Sequence, residues 1–276
     1  MSVLFIAPQK SVTLDDNGKP VQKARANVSL PALTILGALE NAGIACQFLD
    51  ATTDNCGEIR QRSAHLATFG LPIEEILDCV SGQKPKYVLI TSMFTFEQML
   101  VDDLVIEIRR RFPKIKIIVA GIHASARPLW HFDSSSPDVI VLGEGEETVV
   151  ELIRELEKET PNLALVYGVM FRNSQGELVR TPPRKMILEL NRPWAFDTVL
   201  LNPKSELRYW DDLTAKSPVY REPRLGSNTP SFSLYGSRGC PFGCSYCATT
   251  PRDGTKVRHM GSSRMFEDFK TAREVY

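Results

Sequence analysis

Residues 87–93 read YVLITSM: five aromatic, aliphatic or β-branched residues, then a serine and a methionine. With no polar alternation, this run has no face to present to water. It predicts a strand covered on both sides, as in the interior of a parallel sheet. Outward from it, VLFIAP (3–8), CQFLDA (46–51), IKIIVAG (115–121) and DVIVLGEG (138–145) have the same character. Helical patterns lie between them. SLPALTILGALENAG (29–43) has Ser29 as a cap, Pro31 in the first turn and Gly43 past the end. FEQMLVDDLVIEIRRRF (96–112) closes on Arg109, Arg110 and Arg111, positive charge suited to a helix C-terminus. EETVVELIRELEKE (146–159) sets Val149, Val150, Leu152, Ile153 and Leu156 at helical spacing behind Glu146 and Glu147. Strands joined by helices predict an α/β domain over residues 1–160, a doubly wound parallel sheet of Rossmann or flavodoxin type.

Ligands of such sheets bind beyond the C-terminal ends of the strands. Those ends are Pro8-Gln9-Lys10, Ala51-Thr52-Thr53, Thr91-Ser92-Met93, Gly121-Ile122-His123-Ala124-Ser125 and Gly143-Glu144-Gly145-Glu146. Their small residues let backbone amides approach a ligand, and their hydroxyls supply directed hydrogen bonds.

Past residue 160 the periodicity breaks. VYGVMFRNSQGELVRTP (166–182) predicts a hairpin turning at Gln175-Gly176. Pro182, Pro183, Pro193, Pro203, Pro218, Pro223 and Pro230 then punctuate an irregular connector extending to residue 230. SFSLYGSRG (231–239) reads as a new strand leading into GSRGCPFGCSYCATT (236–250). There Cys240, Cys244 and Cys247 follow the spacing C-x3-C-x2-C. Three thiolates so spaced suit two uses. A zinc ion would take a fourth ligand, for which His259 is available. An iron–sulfur cluster held by only three cysteines would leave one iron without a protein ligand.

Composition narrows the classes. Lys plus Arg and Asp plus Glu both count 33, which gives no electrostatic footprint for nucleic acid. No run approaches the roughly 20 apolar residues of a membrane span. The opening MSVLFIAPQK lacks the basic start of a secretory signal, so a cytoplasmic location is expected. Disulfides are then disfavoured, and the six cysteines read as thiols or metal ligands. Cys46, Cys56 and Cys79 are scattered and read as incidental. GEGEE (143–147) is not a dinucleotide loop: it follows the fifth strand, has Thr148 where a third glycine belongs, and carries acids that repel a pyrophosphate.

GCPFGCSYC (239–247) resembles the signature loop of radical S-adenosylmethionine (radical SAM) enzymes, C-x3-C-x-aromatic-C, with Tyr246 as the aromatic. The resemblance implies that Cys240, Cys244 and Cys247 ligate a [4Fe-4S] cluster and that the fourth iron chelates SAM. Phe242, Gly243 and Tyr246 would contact these cofactors, and reductive cleavage of SAM would yield a 5′-deoxyadenosyl radical. The upstream domain is similar to the cobalamin-binding (B12-binding) subclass. Ser92 matches its serine after the third strand and Gly121 the first glycine after the fourth. Met93, Ile122, His123, Gly143 and Glu144 are the further cobalamin contacts this implies. The Asp-x-His-x-x-Gly motif that supplies a histidine to cobalt is absent, and Ile122 stands where a second glycine is usual, restricting backbone approach. His123 reads as site-lining or as a structural hydrogen-bonder, His131 as structural and His65 as a surface residue.

The resemblance implies methylation or other modification of an unactivated carbon, a small-molecule substrate, and an electron donor such as flavodoxin or ferredoxin. Residues 231–276 would be the N-terminal piece of a partial (β/α)6 barrel. Only about one of its six units is present, so a fragment of a longer protein, inactive alone, is expected. A stand-alone cobalamin-binding module with a vestigial cysteine loop and a zinc-stabilised α/β protein remain the alternatives. No catalytic residue is named.

Overall fold

The computed structural model describes residues 2–21, 30–52, 59–191 and 236–275. Ser29, Thr53, Cys56, the prolines from Pro193 to Pro230 and residues 231–235 lie outside the described residues. In chain order the elements are β1 (Val3–Ala7), β2 (Lys10–Thr13), α1 (Leu30–Asn41), β3 (Cys46–Asp50), β4 (Ile59–Gln61), β5 (Leu66–Phe69), α2 (Ile73–Gln83) and β6 (Tyr87–Thr91). A 3-10 turn (Thr95–Glu97) leads to α3 (Gln98–Arg111), β7 (Lys116–Ala120), α4 (Ile122–Ala126), α5 (Pro128–Ser134), β8 (Val139–Val141) and α6 (Glu146–Leu156). Then come β9 (Val169–Arg172), β10 (Leu178–Arg180), β11 (Ser237–Arg238), α7 (Thr249–Asp253), β12 (Arg258–His259) and α8 (Ser262–Val275).

The main sheet runs β10-β9-β8-β7-β6-β1-β3. Its five central and outer strands β3, β1, β6, β7 and β8 pair in parallel. Numbered among themselves in chain order they stand 2-1-3-4-5, the flavodoxin order, which places the crevice between the C-terminal ends of β1 and β6. Each inner strand divides its side chains between two cores. Phe5, Leu89, Ile118 and Val141 face α1 and α6, while Leu4, Ile6, Val88, Ile90, Ile117 and Val119 face α2, α3 and α5. Both sets are fully covered, which is why these strands read as unbroken apolar runs. Each large side chain so buried contributes about 1.5–3 kcal/mol.

Three features depart from the sequence reading. The hairpin β9–β10, expected to open the connector, extends the main sheet antiparallel to β8. Val169, Met170 and Phe171 are buried there and cover what would be an open edge. A second sheet, β2-β5-β4, is antiparallel: β4 and β5 pair locally, while β2 joins β5 from more than 50 residues away, a pairing with no local signature. Finally, Ser263 lies inside α8 rather than capping it, since the Met265 amide donates to the Gly261 carbonyl at 3.0 Å. The described residues after 236 form a two-residue antiparallel ladder and two helices. Among the described residues no helix is long and apolar enough to cross a membrane.

Candidate functional site

The C-terminal ends of β6 and β7 meet at Ser92 and Gly121. The Ser92 amide donates to the Ala120 carbonyl at 2.7 Å, and the Ser92 carbonyl accepts from the His123 amide at 3.1 Å. Gly121 has φ +130 and ψ −178, a conformation open almost only to glycine. A methyl on it would lie 2.8 Å from the Ser92 carbonyl carbon and nearer still to the oxygen. The glycine is thus demanded by the approach of two backbones. Ile122 does not carry the positive φ; it opens α4, where a β-branched residue is tolerated. Met93 is half-buried at this edge, and Phe94 and Phe96 stack at 5.4 Å, both exposed.

Beneath Ser92 lies a continuous polar network. The Ser92 hydroxyl is 2.9 Å from His131 Nε2, and His131 Nδ1 is 2.6 Å from Asp102 Oδ1. His131 is 0 % exposed. Asp102 also accepts from the Ser135 hydroxyl at 2.7 Å, the Ser134 hydroxyl at 2.6 Å and the Gln98 amide at 3.1 Å. A proton on His131 Nδ1 donates to the carboxylate, and Nε2 stands within hydrogen-bond distance of the Ser92 hydroxyl. His123 joins through Gln98 Oε1 at 3.0 Å and Thr95 Oγ1 at 3.2 Å. Its ring is buried edge-on to His131 and Trp130. The structure therefore gives both ring nitrogens of His123 protein partners, the hydrogen-bonding role rather than an open lining. Burial, then the neighbouring His131, holds His123 below the ordinary histidine range. Burial would raise Asp102, but His131, Ser134 and Ser135 more than offset it and hold it below the usual carboxylate range.

Glu97, in the 3-10 turn beside this edge, is buried and pushed up to about 7 by desolvation, which the charge of Lys10 only partly counters. A raised carboxyl lets the folded protein keep a proton that the unfolded chain releases near 4.5, so stability falls as pH rises from there to about 7. Glu97→Gln is expected to stabilise the chain by about 1–3 kcal/mol above pH 7 and to change little below pH 4.5. Urea transitions at pH 4 and pH 8 check this; an unchanged midpoint at pH 8 would refute it.

The loop after β8 meets the cysteine hairpin. The Glu144 carboxylate accepts from Arg258 Nη1 at 2.8 Å, Arg238 Nη1 at 3.1 Å and the Ile187 amide at 2.8 Å. Glu146 pairs with Arg238 Nη2 at 2.7 Å. Gly143 receives the Ser125 hydroxyl as acceptor for its amide at 2.9 Å, joining the loops after β7 and β8. A cavity of ≈ 40 Å³ remains at this junction, lined by Thr34, Ile35, Gly121, Gly143, Glu146 and Arg238 among others. The acids of GEGEE, read in sequence as repelling a phosphate, serve instead as counter-charges. Arg238 and Arg258 escaped the sequence reading because they lie 94 and 114 residues from Glu144, with no pattern to link them.

The hairpin carries the three cysteines between β11 and β12. Cys240 and Cys247 are half-buried and Cys244 is exposed, all as thiols outside any disulfide. The Cys240 amide donates to the Gly254 carbonyl, and the Cys247 amide to the Cys244 carbonyl. Gly239 is required by the ladder: at φ +95, a methyl there would meet the Lys256 carbonyl. Gly243 has open space around it. Phe242 and Tyr246 are 70 % and 90 % exposed. Among the described residues no three His, Cys, Asp or Glu side chains converge as a metal site. His259 stands across the ladder from Ser237. The donor set, three reduced thiols on one exposed eight-residue loop, fits thiolate ligation of iron in chemistry and accessibility.

Residues 27–153 match the B12 binding domain family. The chain is 30 % identical over 197 residues to the anaerobic magnesium-protoporphyrin IX monomethyl ester cyclase of Synechocystis, covering 66 % of this chain and 33 % of that protein. It is 25 % identical over 226 residues to the cytidylyl-2-hydroxyethylphosphonate methyltransferase of Streptomyces wedmorensis, covering 75 % of this chain and 41 % of that protein. In three dimensions it resembles OxsB, a cobalamin-dependent S-adenosylmethionine radical enzyme, with a TM-score of 0.69 and 17 % identity, over 99 % of this chain and 32 % of that one. The chain thus spans between about a third and two fifths of the length of these relatives. Residues 27–153 thus carry the match to the B12 binding domain family, and the proteins that the chain is similar to include a cobalamin-dependent S-adenosylmethionine radical enzyme.

Proposed function

We propose that this chain is the front part of a cobalamin-dependent radical SAM methyltransferase acting on a small molecule. The observation that carries the reading is the docking of the Cys240–Cys247 hairpin, through Arg238 and Arg258, onto the loop after β8 of a B12-binding domain. Cys240, Cys244 and Cys247 would hold a [4Fe-4S] cluster as thiolates. Residues 231–276 are then the N-terminal piece of the radical SAM domain, and residues 1–160 with the hairpin β9–β10 the cobalamin-binding part. When bound, the cluster supplies the electron for reductive cleavage of SAM, and cobalamin supplies the methyl group.

The chain's own residues prepare this place. The exposed rings of Tyr246 and Phe242 would offer planar faces to a base, a contact burying about 150–250 Å² per ring in typical aromatic sites. The backbones of Ser92 and Gly121 approach closely at the strand ends, and the network through His131 positions the Ser92 hydroxyl. The stacked Phe94 and Phe96 and the exposed Met99, Leu129 and Trp130 give this edge an apolar surface suited to a macrocycle. An electron-donor protein such as flavodoxin or ferredoxin is the further partner this function requires.

Anaerobic reconstitution with iron and sulfide tests the reading. The chain is expected to take up about four irons and to develop broad visible absorption. The variant with alanine at Cys240, Cys244 and Cys247 should take up none specifically. One zinc per chain and no iron after purification, or equal iron uptake by the two proteins, would reject it.

A further inference from the structure

We propose that Glu144 and Glu146 are positioning residues, a charge latch that holds the Cys240–Cys247 hairpin in a single register against the C-terminal end of the parallel sheet. The role assigned to the hairpin rests on the proposed function above; the latch itself is a property of the fold.

Arg238 and Arg258 are direct partners across the β11–β12 ladder. Like charges set opposite one another repel. Both side chains are more than nine-tenths buried, at 8 % and 4 % exposed, so water relieves neither. Two glutamates balance them. Glu144 spans both guanidinium groups, and Glu146 takes the second nitrogen of Arg238. Arg258 is held further by the Ile187 carbonyl at 2.5 Å and the Asp253 carbonyl at 2.9 Å.

Such a cluster is a weak source of net stability, because desolvation offsets most of the attraction. Its distinctive property is registry, since any other placement leaves a charge buried and unpaired. Other ties also bear on the hairpin's orientation: Asn191 Oδ1 accepts from the Gly261 amide at 2.5 Å, and Met186 lies against Gly254. The hairpin's strands are two residues each, its aromatic residues are exposed, and α7 resting on α4 is its main packing contact. The angle at which the cysteines face the ends of β7 and β8 therefore depends on where Glu144 and Glu146 stand. That position is tightly defined, because Gly145 between them packs against Ile35 of α1.

Hydrogen exchange on the 276-residue chain, without iron or cofactor, tests this. The amides of Cys240 and Met260, bonded in the ladder region at 3.0 Å each, report the hairpin, and those of β7 report the sheet. In Glu144→Gln, and more so in Glu144→Gln/Glu146→Gln, the hairpin amides are expected to exchange about a hundredfold faster or more, with β7 unchanged. Glutamine keeps the size of glutamate, so a space-filling role for Glu144 would leave the protection of the hairpin unchanged in Glu144→Gln. Unchanged hairpin exchange or equal acceleration in β7 overturns the latch. Because no metal is involved, this outcome is separate from iron uptake. A protected hairpin that binds no iron rejects the cluster reading alone, and an iron-binding hairpin indifferent to Glu144 rejects the latch alone.

Discussion

Gly121→Ala is expected to destabilise the chain by more than about 4 kcal/mol, a large share of the 5–15 kcal/mol that holds a typical domain together. Two costs add. The backbone at φ +130 and ψ −178 is nearly closed to any residue with a Cβ. The new methyl would also overlap the Ser92 carbonyl, which is itself fixed by the amides of His123 and Ala124. Neither backbone can yield without breaking the junction of β6 and β7. Gly43→Ala is the control: φ there is +72, but nothing lies within 4 Å of the added methyl, so a cost near 1 kcal/mol is expected. Urea transitions of both variants decide the matter. Equal costs would show that φ alone, rather than the close approach, makes Gly121 necessary.

Asp102→Asn is expected to cost about 3 kcal/mol at pH 7 and to remove a stretch of acid sensitivity. The aspartate accepts from His131, Ser134, Ser135 and Gln98, and an amide in its place turns one acceptor into a donor facing donors. Because the folded-state value of Asp102 is depressed below 3.8, its stabilisation is complete above that pH and is lost as pH falls through the folded value. His123 acts earlier. Depressed below 6.5, it leaves the unfolded chain binding more protons under that pH, so stability falls as pH drops. Between 4.5 and 7 Glu97 works in the opposite sense. The window that isolates Asp102 therefore lies below about pH 4. There the Asp102→Asn curve is expected to be flatter than that of the parent chain; parallel curves would refute the assignment.

Much of the fold was legible because its parallel strands are buried on both faces. Residues 87–93 read as a strand, and β6 occupies Tyr87–Thr91; residues 115–121 contain β7 at Lys116–Ala120. Helices α1, α3 and α6 appear within a few residues of their sequence limits, since each owes its periodicity to one apolar stripe against the sheet. The small sheet β2-β5-β4 was not legible: its strands are three or four residues long, and β2 pairs with β5 across more than 50 residues. The hairpin β9–β10 was visible as a hairpin, yet its place on the edge of β8 was not, because edge choice depends on the partner rather than on the strand.

The sequence by itself determined the α/β class, the run of small and polar residues at the strand ends, and the three thiols in a single loop. These follow from local patterns: unbroken apolar runs, helical spacing, and cysteines within eight residues. The tertiary structure alone decided the roles of the residues around them. It turned Glu144 and Glu146 from anion-repelling loop residues into partners of Arg238 and Arg258, and Gly121 into a site of backbone contact. It joined Ser92 through His131 to Asp102. The physical reason is common to all three. The energy of a buried charge or polar group is set by the group opposite it, and what stands opposite here is brought by the fold from another part of the chain.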